Sequence, residues 1–175
     1  MVDHGAWSVI LSGQDRNVAN FRDFLSKKVN EMVIGTLHLD VHASYDHVSE
    51  AVPTLLESER QSRVGERLND VETAAKKHGR GALGFEKTID AANQKKLETL
   101  FLSNGAKAMG WQCPSCKTIG ESIPISGCPL CGTSIATVDL VEALICAAQN
   151  EDADIVFAES PMLAKYNGVA AALRF

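Results

Sequence analysis

Cys113-Pro-Ser-Cys116, an eleven-residue insert, then Cys128-Pro-Leu-Cys131-Gly132 is the stretch on which the reading of this chain turns. Each C-x-x-C pair makes a tight turn that points two thiolates at one centre, and the insert is long enough to fold back as a hairpin. Gly132 suits such a turn because glycine takes positive φ without steric cost and leaves backbone amides facing the sulfur charge. Pro114 and Pro129 pre-set φ inside both turns. Cys113, Cys116, Cys128 and Cys131 therefore read as the four ligands of a tetrahedral metal, the plainer alternative being unrelated thiols or disulfides. Four thiolates describe a closed structural site, whereas a catalytic one keeps a position open for water. Zinc is the expected metal. Iron in a rubredoxin-type site takes the same ligands and is the less favoured occupant.

Around this ribbon the chain runs to 175 residues, 45% of them apolar, enough for one large domain or two small ones. A net charge of −5 argues against a protein coated in a basic nucleic-acid footprint, though not against a local basic patch. No basic region precedes the short apolar run near the N-terminus, so no signal peptide is readable. No apolar stretch approaches the roughly 20 residues of a membrane helix, and no membrane partner is expected. Four cysteines in metal spacing plus a fifth, Cys146, is the usage of the cell interior and not of a secreted disulfide framework, so the expected location is the cytoplasm.

Working outward from the ribbon, the flanking segments alternate. Before it, Ile89, Ala92 and Leu97 mark the apolar side of a helix that precedes a strand at Glu98-Thr-Leu-Phe-Leu-Ser. After it, Thr137 or Asp139 caps a helix with Leu140, Val141, Leu144, Ile145 and Ala148 inward. A strand at 153–158, a short helix or turn at 161–166 and a terminal strand at 168–175 complete that half. At the other end, Trp7-Ser-Val-Ile-Leu-Ser reads as a buried strand and 32–39 as a second. Between them one helix carries Val18, Phe21, Phe24, Leu25 and Val29 on one face, which is βαβ arithmetic. Residues 44–78 read as a long charged helix, with Pro53 as a first-turn residue or a kink. Gly79-Arg-Gly-Ala-Leu-Gly84 reads as a hinge or helix stop, with phosphate binding a distant second. No repeat period stands out.

Three rival features were weighed. In His38-Leu-Asp40-Val-His42, an extended backbone would put three potential ligands on one face, as a metal-dependent hydrolase requires. The stretch also lies at a strand-to-helix handover, where polar residues are ordinary. Cys146, between Ile145 and Ala147, reads as a buried small hydrophobe and not a nucleophile. No G-x-S-x-G elbow and no convincing carboxylate pair is present, so no catalytic residue is assigned and the chain reads as a binding protein, not an enzyme.

The order of these features resembles the middle and C-terminal domains of the archaeal and eukaryotic class I peptide-chain release factors and their relatives, including Pelota and bacterial release-factor-like proteins. The matching stretches are Trp7-Ser-Val-Ile-Leu-Ser-Gly with Asn20-Phe21-Arg22, Gly81-Ala-Leu-Gly-Phe-Glu-Lys-Thr-Ile-Asp, and Leu97-Glu-Thr-Leu-Phe-Leu-Ser. They continue through the cysteine hairpin, Val138-Asp-Leu-Val-Glu-Ala-Leu and Asn167-Gly-Val-Ala-Ala-Ala-Leu-Arg-Phe. The resemblance implies an α/β chain. Residues 1–80 would be the C-terminal part of a ribonuclease-H-like middle domain. Residues 81–175 would be an α/β/α domain like the kink-turn-binding ribosomal proteins, with a zinc ribbon inserted at about 106–136. It implies the ribosome or a translational GTPase as partner, in termination, rescue or dormancy, with structured RNA such as a kink-turn as the alternative ligand. The family's Gly-Gly-Gln tip, which triggers peptidyl-tRNA hydrolysis, has no counterpart here, and Gly79-Arg-Gly is no substitute. The resemblance thus places the chain downstream of that tip, as a C-terminal piece or a shortened relative.

Overall fold

The computed structural model describes residues 8–40, 42–77 and 79–174. Trp7, His78 and Phe175, which the sequence reading placed in a strand, a helix and a strand, lie outside the described residues. The chain divides into two compact units, Met1–Arg63 and Val64–Phe175.

In the first unit, β1 (Val9–Ser12) and β2 (Val33–Leu37) pair in parallel, as βαβ arithmetic requires. The connection is not the single helix expected. It breaks into α1 (Asp15–Arg22) and α2 (Lys27–Glu31), because Ser26 is extended and its hydroxyl accepts from Val29 N, starting a new helix. The expected inward stripe is consequently out in solvent, with Phe21 54% and Phe24 86% exposed. β1 is half-buried, not buried, since two strands make too small a sheet to cover it. α3 (Tyr45–Lys76) then runs through Pro53 well inside the helix, past the first turn. Its residues 45–63 count to the first unit and 64–76 to the second.

The second unit is built on one sheet in the order β3 (Gly81–Leu83), β9 (Val169–Leu173), β4 (Leu97–Ser103), β8 (Asp154–Ala158). β4 pairs parallel with β8 and antiparallel with β9, and β9 pairs antiparallel with β3. One face carries α4 (Phe85–Asn93) and α5 (Leu140–Asn150), with Phe85, Ile89, Leu140 and Leu144 packed on Leu97, Leu100, Leu102 and Val169. The opposite face carries the second half of α3 and α6 (Ser160–Leu163). There Val64, Leu68 and Val71, at i, i+4 and i+7, meet Phe101, Leu163 and Ala170. Leu97, Leu100, Phe101 and Leu102 are at most 1% exposed, and burying each such side chain is worth about 1.5–3 kcal/mol. Polar contacts fix α3 on its face: Arg67 donates to Thr99 Oγ1 at 3.0 Å and lies over the Phe101 ring, and Lys165 Nζ sits 2.6 Å from Glu72 Oε1. Of the two caps expected for α5 it is Asp139 that works, its carboxylate accepting from Val141 N at 2.8 Å.

Two expectations need correction. The glycine-rich stretch is an edge strand, not a hinge: Gly81, Ala82 and Leu83 pair with Ala172, Ala171 and Ala170. The glycine is there for proximity, because a Cβ on Gly81 would stand 2.8 Å from Ala75 N, and nearer still to the Val71 carbonyl, on α3. Cys146 is exposed, not buried. α5 turns Leu140, Ala143, Leu144 and Ala148 inward, which leaves 142, 146, 149 and 150 on the outer side.

Gly81→Ala should push α3 off the sheet and lower the denaturant midpoint at unchanged m, a loss of about 1–3 kcal/mol in an equilibrium urea titration.

Candidate metal centre

The ribbon is a three-stranded antiparallel sheet in the order β6 (Ile119–Gly120), β5 (Met109–Gln112), β7 (Ala136–Asp139), placed between β4 and α5 in the chain. Its two cysteine turns are built alike. In the first, Lys117 N donates to the Cys113 carbonyl and Cys113 N to the Thr118 carbonyl. In the second, Gly132 N donates to the Cys128 carbonyl and Cys128 N to the Thr133 carbonyl, all at 2.8–3.0 Å. Lys117 and Gly132 occupy the same place with φ of 65° and 74°. A local repeat was therefore in the sequence after all, Cys-Pro-Ser-Cys-Lys-Thr at 113–118 and Cys-Pro-Leu-Cys-Gly-Thr at 128–133, too short to register as a repeat period.

These turns bring together all four cysteines that the spacing singled out. Their Sγ atoms lie within 4.8 Å of one another, with Cys113–Cys131 at 3.4 Å, Cys116–Cys128 at 3.5 Å and Cys116–Cys131 at 3.6 Å. Those separations are too long for disulfides, whose sulfurs lie about 2.05 Å apart. They sit close to the roughly 3.8 Å that tetrahedral coordination at a metal–sulfur distance of about 2.3 Å would give. Cys113 and Cys128 are buried against Trp111 and Ile135, while Cys116 and Cys131 face outward. The site is thus walled on one side, with all four donors converging, and the thiolate set fits zinc or iron.

Electrostatics divides the pairs. The Thr133 hydroxyl, 3.4 Å from Cys131 Sγ, and the Thr133 backbone bring that thiol down to about 6. The Thr118 hydroxyl at 3.1 Å likewise lowers Cys116. Burial pushes Cys128 up to about 11.

The ribbon is fastened to the rest of its unit by one side-chain amide that the sequence reading missed. Asn93, the last residue of α4, donates through Nδ2 to the Ile119 carbonyl at 2.8 Å and accepts through Oδ1 from Ile119 N at 2.9 Å. It therefore acts as an extra strand residue at the free side of β6. A helix-terminal asparagine gives no sequence signal for a contact 26 positions away. Trp111 Nε1 adds a bond to the Ser122 carbonyl at 2.8 Å.

The rival group does not assemble. β2 ends at Leu37, His38 Nδ1 pairs with Asp15 at 3.2 Å, and Asp40 turns back to accept from His42 N at 2.8 Å. Among the described residues the four cysteines are the one set of three or more potential ligands that converge, and His38, Asp40 and His42 form no such set; Val41 between them lies outside the described residues.

With this geometry in view, comparison with solved structures is informative. The C-terminal domain of a peptide chain release factor from Methanosarcina mazei aligns over 77% of this chain and 98% of its own, with 21% identity and a TM-score of 0.51. Pelota from Archaeoglobus fulgidus aligns over 97% of this chain and 49% of its own, with 15% identity and a TM-score of 0.55. Dom34 from S. cerevisiae, a translation termination-like factor interacting with Hbs1, aligns over 97% and 47%, with 11% identity and a TM-score of 0.54. An archaeal Pelota in a ribosome-bound assembly with ABCE1 aligns over 95% and 43%, with 19% identity and a TM-score of 0.52. The fold is that of the release-factor and Pelota superfamily, and the chain spans about half the length of the Pelota and Dom34 chains it matches. No protein-family model matches the chain, and no curated protein matches it by sequence.

In metal-free protein at pH 7 the Cys131 thiol lies above its ionisation midpoint and Cys128 far below its own. Iodoacetamide should therefore alkylate Cys131 well before Cys128, a sequence readable by peptide mass spectrometry.

Proposed function

We propose that this chain is a non-catalytic docking module of a translation factor, binding the ribosome, a translational GTPase or both in termination, rescue or dormancy. The carrying observation is the fold match to Pelota and Dom34 along 97% of the chain. A ribosome-bound Pelota and an Hbs1-interacting Dom34 are the models for its partners. The proposal assigns residues 1–80 to the end of a ribonuclease-H-like middle domain, and 81–175 to a domain like the kink-turn-binding ribosomal proteins with the ribbon at about 106–136. What supports a partial first domain is its two-stranded parallel sheet with Phe21, Phe24 and Tyr45 exposed, since parallel strands ordinarily lie buried under helices on both faces. No helix among the described residues is long and apolar enough to cross a membrane, and a factor of this kind works in the cytoplasm.

The ribbon's part is structural. Cys113, Cys116, Cys128 and Cys131 hold zinc in a closed four-thiolate site, and the ion supplies cross-linking, not chemistry.

Ribosomes should carry the chain into the pellet on co-sedimentation, more strongly with an elongation-factor-type GTPase present; absence from the pellet in both conditions removes the docking reading. Chelation should strip hydrogen-exchange protection from Trp111 and Ile119 while β4 stays protected, and unchanged protection in the hairpin would refute the structural metal.

A further inference from the structure

Beside the edge strand β3 lies an open cleft of about 440 Å³, lined by Arg80, Lys87 and Lys96, by the small residues Gly79, Gly81, Ala82 and Ala91, and by Asp90 and Gln94. Three cations meet one carboxylate there, in a chain whose net charge is −5. The three cationic side chains have no ion pair or hydrogen bond among the described residues, whereas Arg67 and Lys165 elsewhere in the unit do. Two of the three are anchored at their backbones by the end of β9: Leu173 N donates to the Arg80 carbonyl at 3.1 Å, and Arg174 N donates to the Lys96 carbonyl at 3.0 Å. The third rises from α4, where Lys87, Asp90, Ala91 and Gln94 share one helix face. Lys87 occupies the first turn of α4, the end at which the helix dipole disfavours a cation, so its position is not explained by the stability of its own helix. The small residues leave the floor open to a ligand.

We infer that this cleft receives backbone phosphates of RNA. A guanidinium fork with two ammonium groups on a fixed frame suits the phosphate oxygens, and the glycines let a polyanion approach the main chain. The inference rests on the translation reading for its choice of RNA over an acidic peptide. The cleft itself stands on its geometry.

The test is fluorescence anisotropy with a labelled RNA hairpin across a salt series, comparing the unaltered chain with Arg80→Ala/Lys87→Ala/Lys96→Ala and with Lys27→Ala/Lys28→Ala as a control of equal surface character. The triple variant should bind at least about tenfold more weakly, with the slope of log affinity against log salt smaller by roughly 2, and the control should bind as the unaltered chain does. Single Lys87→Ala, which leaves both β9-anchored residues alone, should show a partial loss if the triple variant misfolds. Unchanged RNA affinity and salt slope in these variants, or a poly-glutamate peptide binding in place of the hairpin, would overturn the inference. Absence of any RNA binding by the unaltered chain overturns it too. Co-sedimentation separates the two readings: a chain that pellets with ribosomes equally well with and without the three cations keeps its docking role and loses this site. A chain that binds the hairpin through the three cations but never pellets keeps the site and loses the docking role.

Discussion

A strand hidden on both faces must be covered twice, and β4 imposes that condition on the whole second unit. Its alternating residues face two cores, Leu100 and Leu102 towards α4 and α5, Phe101 towards α3 and α6. Neither side can be left open, because each buried apolar side chain loses its stabilisation if it meets water. The helices, their spacing and the antiparallel insertion of β9 against β4 all follow from having to supply two lids and two hydrogen-bonded neighbours for one strand.

The ribbon depends on this arrangement at second hand. Its own apolar content is small: Trp111, the two inner cysteines and Ile135 make a cluster that a module of this size cannot rely on alone. Two things compensate. The four thiolates offer a metal a ready cross-link, and Asn93 extends the ribbon's sheet by a pair of hydrogen bonds from the end of α4. The first acts within the ribbon, the second holds it to the sheet domain.

Much of this was legible in the sequence because the signals are local. The apolar run at 97–102, the two C-x-x-C turns and the Asp139 cap each declare themselves within a few residues. What escaped notice is non-local. Gly81-Ala-Leu83 has glycine-rich loop composition and becomes a strand only because β9 lies beside it. Asn93 reads as a helix end and acts as a strand partner. His38 and Asp40 looked like a ligand set, but Asp15 and the backbone of His42 take them up separately. The exposure of Cys146 depends on the phase of α5, which its immediate neighbours Ile145 and Ala147 obscure. The break at Ser26 was local but went unread, since a lone serine inside an apolar stripe signals a cap only when the helix already ends there.

β9 comes last of the strands in chain order and yet lies between β3 and β4. On a translating ribosome, β3 therefore appears with no strand to join. Gly81 must wait for Ala172, 91 positions later by the observed register, a delay of roughly 5–20 seconds at ordinary elongation rates. Until then β4 has β8 on one side and an open edge on the other. A nascent chain of this design must keep that edge from other partners through most of its own synthesis, and its sheet closes in a single late step.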